Sequence, residues 1–245
     1  MESENFQCSR SWEFEYLCRM NTGSMTVRGK VAVELGIIAV LTTIFLLLFP
    51  HRNPAVDVGL AGFALLGIAA SAGYTKKVIW AASPPPVIED RFRRCLKVTL
   101  WVTAPTVFVF LVVGGILGYR HGGWPAVSER LFHFRILAAF GGYLVWALMQ
   151  QTLFQFYLLG RLLALFPKGH AVWPVVITGL GFSLVHLPDV WTTLVTAVAG
   201  VVWTSIYYRY RCLLPLAFSH AALGTAFYYG IFGHDLALEW KAIFP

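Results

Sequence analysis

Six polar side chains inside the apolar second half of the chain are of types that can do chemistry: Gln150, Gln151, Gln155, His186, Asp189 and His220. Imidazole and carboxylate groups transfer protons near neutral pH, and imidazole nitrogens also bind zinc. Polar groups are costly within an apolar stretch, so each is a candidate for function. Glu34 and Asp57 lie near the starts of their apolar stretches. We interpret Glu34 as a carboxylate that reaches the membrane interface, and Asp57 as one that is favourable at a helix N-terminus.

The spacing of these residues leaves alternatives open. A lone histidine in an apolar helix is more often a hydrogen-bonded core residue than a ligand, and the pair His186 and His220 is compatible with either role. Asp189 could act as a base or cap the following helix, and we favour the cap. Linear topology places the two histidines at different depths, so they can meet only if the turn after His186 dips into the bilayer or the helices tilt.

The elements that position these side chains are seven apolar stretches of about spanning length. They predict an all-α, polytopic transmembrane helix bundle with spans at Val31–Pro50, Ala55–Tyr74, Val98–Tyr119, Ile136–Phe166, Ala171–Leu187, Val190–Tyr208 and Leu213–Phe232. The longer connections are Thr75–Lys97, which contains three consecutive prolines, and Arg120–Arg135. We predict a polar N-terminal tail over residues 1–30 and a single membrane domain over residues 31–245.

Composition and charge support a lipid environment. The chain is 58% hydrophobic and 13% charged, whereas soluble domains are about 45–50% apolar and about 25% charged. With the N-terminus inside, 14 of the 19 Lys and Arg residues fall in inside segments. The positive-inside rule therefore predicts a cytoplasmic N-terminus. The +7 charge is spread between apolar segments rather than gathered in one patch, which indicates topology and no nucleic-acid partner.

The last four stretches resemble the CPBP family of intramembrane proteases, which includes the CAAX prenyl endopeptidases and the Abi proteins. That family carries Glu-Glu-x-x-x-Arg on one helix, Phe-x-x-x-His at the end of the next and His-x-x-x-Asn in a later helix. Phe182-x-x-x-His186 matches, followed by Leu-Pro-Asp, and His220 matches the third pattern after Leu-Leu-Pro. The resemblance covers a core of roughly residues 136–230.

The departures fall on the groups that do the family's chemistry. Gln150 and Gln151 stand at the glutamates, Gln155 at the arginine and Gly224 at the asparagine. A neutral amide cannot serve as a general base. Replacing only the glutamates would strand a buried arginine at a cost of roughly 3–5 kcal/mol. Because all three charged groups are exchanged for amides, the site is predicted to be a neutral polar cluster in which Gln151 and Gln155 can hydrogen-bond to each other.

The resemblance implies a family of intramembrane metallo- or glutamic endopeptidases, and hydrolysis of membrane-associated substrates at a modified site is one expectation. The alternative is an inactive pseudoprotease that binds a membrane-protein segment or a lipid. The family also implies that His186 and His220 could hold zinc. The lipid bilayer is the expected environment, and the expected location is the inner (plasma) membrane of a bacterium.

Overall fold

The computed structural model describes residues 28, 29, 31–40, 42–44, 47, 54–82, 90–166 and 170–236. Every regular element in these ranges is helical, which confirms the predicted all-α fold. The chain divides into two compact units, Met1–Phe49 and Pro50–Pro245. In the first unit the described residues are helical and overlap the first predicted span. The predicted boundary at residue 30 stays a prediction.

Within the described residues, the second unit contains six helices. They are α1 (Pro54–Ala82), α2 (Arg91–Leu131), α3 (Arg135–Leu165), α4 (Val172–Leu184), α5 (Val190–Tyr210) and α6 (residues 213–232). The last four agree with the predicted spans to within three residues at each end. Helix α3 contains a π-helical segment, Thr152–Leu158, and α6 ends in another, Phe227–Phe232.

Helix α2 differs from its prediction at both ends. It begins at Arg91 rather than Val98, and α1 continues to Ala82, so both helices extend into the predicted connection Thr75–Lys97. The predicted connection Arg120–Arg135 is wrong over most of its length, because helical structure continues to Leu131 beyond a break at Gly122 and Gly123.

The break in α2 reverses the chain. Gly123 has φ 68° and ψ −157°, a conformation that only glycine adopts readily. Beyond it, Pro125 is tolerated because backbone N–H groups in the first turn of a helix have no hydrogen-bond partner within the helix, so the missing N–H of proline costs nothing there. The backbone of Val127 then packs against Gly118, so the segment after the break folds back along α2.

Three of the described helices, α2, α3 and α5, are long and apolar enough to cross a membrane. The chain is therefore an integral membrane helix bundle. Helix α4 is apolar but has only 13 residues. At 1.5 Å per residue it extends about 20 Å, less than the roughly 30 Å of a hydrocarbon core. The turn that follows α4 is thus reached before the helix could span the bilayer.

Helices α4 and α5 approach closely through two glycines. An ideal Cβ on Gly179 would lie 2.5 Å from the backbone nitrogen of Val201, and one on Gly200 would lie 2.6 Å from the carbonyl oxygen of Gly179. Small residues that let helix backbones meet are a common packing device in membranes. This contact fixes the position of the residues one turn further along α4, which belong to the candidate site.

Helices α3 and α6 run antiparallel. Arg135 at the start of α3 forms a 2.9 Å ion pair with Asp235, just after α6, and the Tyr229 hydroxyl donates to the same carboxylate at 2.6 Å. The buried face of α3 carries residues spaced by four, from Ala139 through Ala147 to Gln151. This face leads directly into the π-helical segment, so one stripe of α3 connects the ion pair to the glutamines.

Replacing Gly179 with alanine should destabilise the protein, because the new methyl group meets backbone of α5 that cannot rotate away. We expect a loss of about 1–3 kcal/mol, typical of overpacking in a tight core. Gly141→Ala is the matched control, since no atom lies within 4 Å of the position that a Cβ would take there. Thermal unfolding of both variants in detergent measures the difference. Equal unfolding temperatures for the two variants would contradict the close helix contact.

Candidate functional site

The ring of Phe182 connects the two histidines. Phe182 is fully buried near the end of α4, and its ring centroid lies 5.2 Å from that of His186 and 5.2 Å from that of His220. The two imidazoles are therefore within about twice that distance of each other. Phe182 also contacts Phe154 of α3, at 5.3 Å, and Trp203 of α5, at 5.6 Å. Four helices meet at this one side chain.

The turn after α4 carries His186 to this position. Its backbone remains hydrogen-bonded, since the N–H of His186 donates to Ser183 at 3.0 Å and that of Asp189 donates to His186 at 3.1 Å. The half-buried His186 ring also has Nδ1 3.2 Å from the carbonyl oxygen of Phe182. Irregular backbone of this kind is tolerated at membrane depth when protein satisfies its polar groups. A short α4 followed by this turn brings His186 to the same aromatic ring that His220 contacts.

His220 is surrounded by aromatic rings from three helices. Its centroid lies 5.5 Å from Tyr143 of α3, 5.2 Å from Phe182 and 4.8 Å from Trp203. The His220 side chain is 2% exposed, and its Nδ1 accepts or donates no hydrogen bond within the described part of the chain. Of the two roles left open by the sequence, that of a hydrogen-bonded core histidine is not seen at Nδ1.

A hydrogen-bonded chain holds the neighbouring wall in place. Trp203 Nε1 donates to Ser219 Oγ at 2.9 Å, and Ser219 shares a 2.6 Å hydrogen bond with Thr103 of α2. Because both hydroxyls and the indole are buried, these bonds satisfy groups that lipid could not. They fix α5, α6 and α2 beside His220.

Gln151 and Gln155 are fully buried on α3, but they do not hydrogen-bond to each other. All four carboxamide nitrogen and oxygen atoms lack a partner in the described residues. The predicted hydrogen bond between these two side chains is therefore wrong. Gln155 lies within the π-helical segment and Gln151 immediately before it. Because a π-helical turn is wider than an α-helical turn, the two side chains do not have the relative position that a spacing of four residues gives in a regular α-helix. Single π-helical turns are frequent at functional sites.

Two residues flanking Gln155 show where this segment packs. Phe154 contacts the Phe182 ring, and Leu158 reaches within 3.4 Å of the Cβ position of Gly181. The π-helical segment thus lies against the end of α4. Gln150 is half-buried, and its Oε1 is buried without a hydrogen-bond partner among the described residues.

Asp189 caps α5, as predicted. Its carboxylate accepts hydrogen bonds from the backbone N–H of Trp191, at 3.1 Å, and of Thr192, at 3.2 Å, and from the Thr192 hydroxyl. Partial burial opposes ionisation, but these hydrogen bonds outweigh it and lower the pKa of Asp189 from 3.8. Both carboxylate oxygens are engaged by the cap. A lowered pKa and two occupied oxygens make this carboxylate a poor general base.

The residues present do not fit a zinc site closely. Zinc in proteins takes three or four nitrogen, sulfur or carboxylate ligands. Among the described residues no group of three or more His, Cys, Asp and Glu side chains is arranged to hold a metal ion. His186 and His220 supply two imidazoles, and their nearest carboxylate, on Asp189, is committed to the helix cap. Zinc at the histidines stays a prediction.

Two buried residues that the sequence analysis did not select adjoin the site. Tyr143 contacts His220, and its ring occupies the space beside Gly224. Arg161 of α3 was one of the 14 Lys and Arg residues assigned to inside segments in the sequence analysis, yet its side chain is 2% exposed. It donates to Thr75 Oγ1 of α1 at 2.7 Å and lies 4.6 Å from the ring of Tyr157. An arginine within an apolar run was a signal available for Arg161.

Comparison with known proteins gives one match. The family model described as type II CAAX prenyl endopeptidase Rce1-like matches residues 101–226, which is more than half of the chain. No curated protein matches, nor does any solved structure. The matched region contains all six predicted site residues and extends from α2 into α6.

The Asp189 cap should contribute measurably to stability. Asp189→Ala is expected to lower the free energy of unfolding by about 0.5–2 kcal/mol, whereas Asp189→Asn should retain most of it. Because the folded-state pKa is lowered, the contribution of the charge is present above pH 3.8 and is lost as pH falls through the folded pKa. Unfolding of the three proteins at pH 7 and pH 3 tests this. An alanine variant as stable as the wild type at pH 7 would contradict the cap.

Proposed function

Because the chain belongs to the type II CAAX prenyl endopeptidase Rce1-like family, we propose that it is an intramembrane protease-like protein that binds a segment of another membrane protein without cutting it. The observation that carries the proposal is the pair of fully buried carboxamides of Gln151 and Gln155, whose four polar atoms have no partner in the described residues. The binding site consists of these glutamines with Gln150, His186 and His220.

The loss of the carboxylates at positions 150 and 151 argues against cutting. Peptide hydrolysis needs a group that takes a proton from water near the working pH. The carboxamides at positions 150 and 151 cannot take one, and Asp189 spends both oxygens on the cap of α5. Uncharged amides also attract a divalent ion less strongly than carboxylates do.

Binding of a peptide backbone follows from the same carboxamides. Each glutamine side chain offers an N–H donor and a carbonyl acceptor, the pair that a peptide group needs. A membrane segment with a broken helix has unsatisfied backbone groups, and lipid cannot satisfy them. Each buried, unsatisfied polar group costs about 1–3 kcal/mol, so pairing the two sets of groups favours association. Gln150 and His186, both half-buried, are the accessible members of the site.

Hydrolysis is the second candidate, and the histidines favour it. Both imidazoles contact Phe182, which brings them into one site despite their separation in sequence. On this alternative the two imidazoles would activate a bound water to act on a membrane-associated substrate. For either candidate we propose a cytoplasmic N-terminus, on the distribution of Lys and Arg, in a chain located in the bacterial inner membrane.

A defined peptide tests the binding proposal. Fluorescent transmembrane peptides with a central Gly-Pro pair, or with an uninterrupted leucine-rich helix, are mixed with labelled protein in lipid vesicles. Energy transfer measures their association. We expect the wild type to prefer the Gly-Pro peptide, because its central backbone groups are unpaired. The double variant Gln151→Leu/Gln155→Leu should lose about tenfold or more in affinity, as expected for the loss of hydrogen bonds in a dry site.

Stability provides the internal control. Replacing unsatisfied buried amides with leucine should leave the unfolding temperature unchanged or raise it, so stability and binding are expected to move in opposite directions. Thr106→Leu is the matched variant, because it removes an exposed hydroxyl that bonds only to its own helix, at 2.9 Å. Equal binding of both peptides by the wild type, or full binding by the leucine variant, would contradict the proposal.

A further inference from the structure

Gly224 has no room for a side chain, and the ring that fills the space is Tyr143. An ideal Cβ on Gly224 would lie 2.8 Å from Tyr143 Cζ, 2.9 Å from the hydroxyl oxygen and closer still to Cε1. Real Cβ atoms do not approach other atoms this closely. The tyrosine ring therefore lies directly on the backbone of α6, one helical turn beyond His220.

The position of Tyr143 is closely determined. Its side chain is 9% exposed and belongs to a buried cluster with Ala139, Ala147 and Ala221. These alanines leave the space in which a large ring fits between α3 and α6. The ring meets the His220 imidazole edge-on, at an interplanar angle of 84°. Edge-to-face contact of this kind favours one relative orientation of two rings.

Tyr143 differs from the other two rings around His220. Phe182 and Trp203 contact each other and lie on the tightly packed α4–α5 pair, and Trp203 is further held by its hydrogen bond to Ser219. Tyr143 instead rests on a glycine, with no side chain of α6 locked against it at that position. Of the three rings around His220, Tyr143 is thus the one whose position depends on a glycine of α6.

We propose that Tyr143 is the specificity-determining residue of the site: its ring, resting on Gly224, shields His220 and admits only a group without a bulky side chain. This inference rests in part on the proposed function. It states that the part of the bound membrane segment that reaches His220 is glycine-like, with no bulky side chain. The shielding itself is independent of any ligand.

Acylation of His220 by diethyl pyrocarbonate, located by peptide mass mapping of the detergent-purified protein, tests the shielding. His220 should react severalfold faster in Tyr143→Ala, because the ring that covers it is lost, and at the wild-type rate in Tyr143→Phe, which keeps the ring. Unchanged reactivity in Tyr143→Ala, or an equal increase in Tyr143→Phe, would overturn the inference.

If Tyr143→Ala folds poorly, Gly224→Ala in the presence of Tyr143 tests the same contact, and a double-mutant cycle tests it further where both variants fold. Gly224→Ala should lower the unfolding temperature and expose His220 in the presence of Tyr143, because the methyl group displaces the ring. In the Tyr143→Ala background the same change should be stabilising, as alanine ordinarily is in a helix. Gly142→Ala, with nothing within 4 Å of its Cβ position, is the control next to Tyr143. Additive effects of the two substitutions would contradict the ring's placement.

Peptide binding separates this inference from the function on which it rests. The wild type should prefer a transmembrane peptide with a central Gly-Pro pair over one with Phe-Pro, and Tyr143→Ala should reduce that preference. If the wild type binds neither peptide, the proposed function fails, while the acylation and stability results still decide the shielding. If Tyr143→Ala retains the full preference for Gly-Pro, Tyr143 does not determine specificity.

Discussion

The contact between α4 and α5 through Gly179 and Gly200 is the constraint on which the site depends. Because the two backbones touch there, Phe182 is set one turn further on against Trp203, fully enclosed. The same ring then contacts both His186 and His220. A larger residue at either glycine would separate α4 from α5 and displace the Phe182 ring from this position. Close packing of small residues in one place thus determines the geometry of polar chemistry in another.

Charge neutrality is the second organising feature of the site. The predicted site residues on α3 are three amides, and two of them are fully buried with no hydrogen-bond partner in the described residues. A carboxylate or guanidinium buried in the same way would need a counter-charge at comparable depth. Arg161, buried on the same helix, donates to the Thr75 hydroxyl and lies over the ring of Tyr157. The glutamines form a site that is polar enough to recognise peptide groups and uncharged enough to remain in an apolar setting.

The sequence predicted the features that depend on local pattern. Apolar stretches located α3 to α6, and the position of Asp189 before an apolar run predicted its helix cap. The predicted end at Tyr119 lies three residues before the break at Gly122 and Gly123, and helix beyond Gly123 was missed because Gly and Pro together indicate a loop. The side chains of Gln151 and Gln155 do not hydrogen-bond to each other, and the π-helical segment at this point is not revealed by residue spacing alone.

Long-range packing accounts for what the sequence could not predict. Nothing in the spacing of Tyr143 shows that its ring would fill the space beside Gly224 on another helix. Similarly, the sequence does not show that His186 and His220 contact the same Phe182 ring, an arrangement that depends on a short α4. The family match to residues 101–226 identifies the scaffold, and these contacts describe the site that this chain builds on it.

The most direct test of a site that binds without cutting is mass spectrometry of the bound substrate segment. Wild-type protein and the His186→Ala/His220→Ala variant are reconstituted in vesicles with the Gly-Pro transmembrane peptide and incubated until any slow hydrolysis would accumulate. The account predicts that the peptide associates with the wild type and is recovered intact. Peptide fragments produced by the wild type and absent with the double variant would contradict it and establish hydrolysis at the modified site.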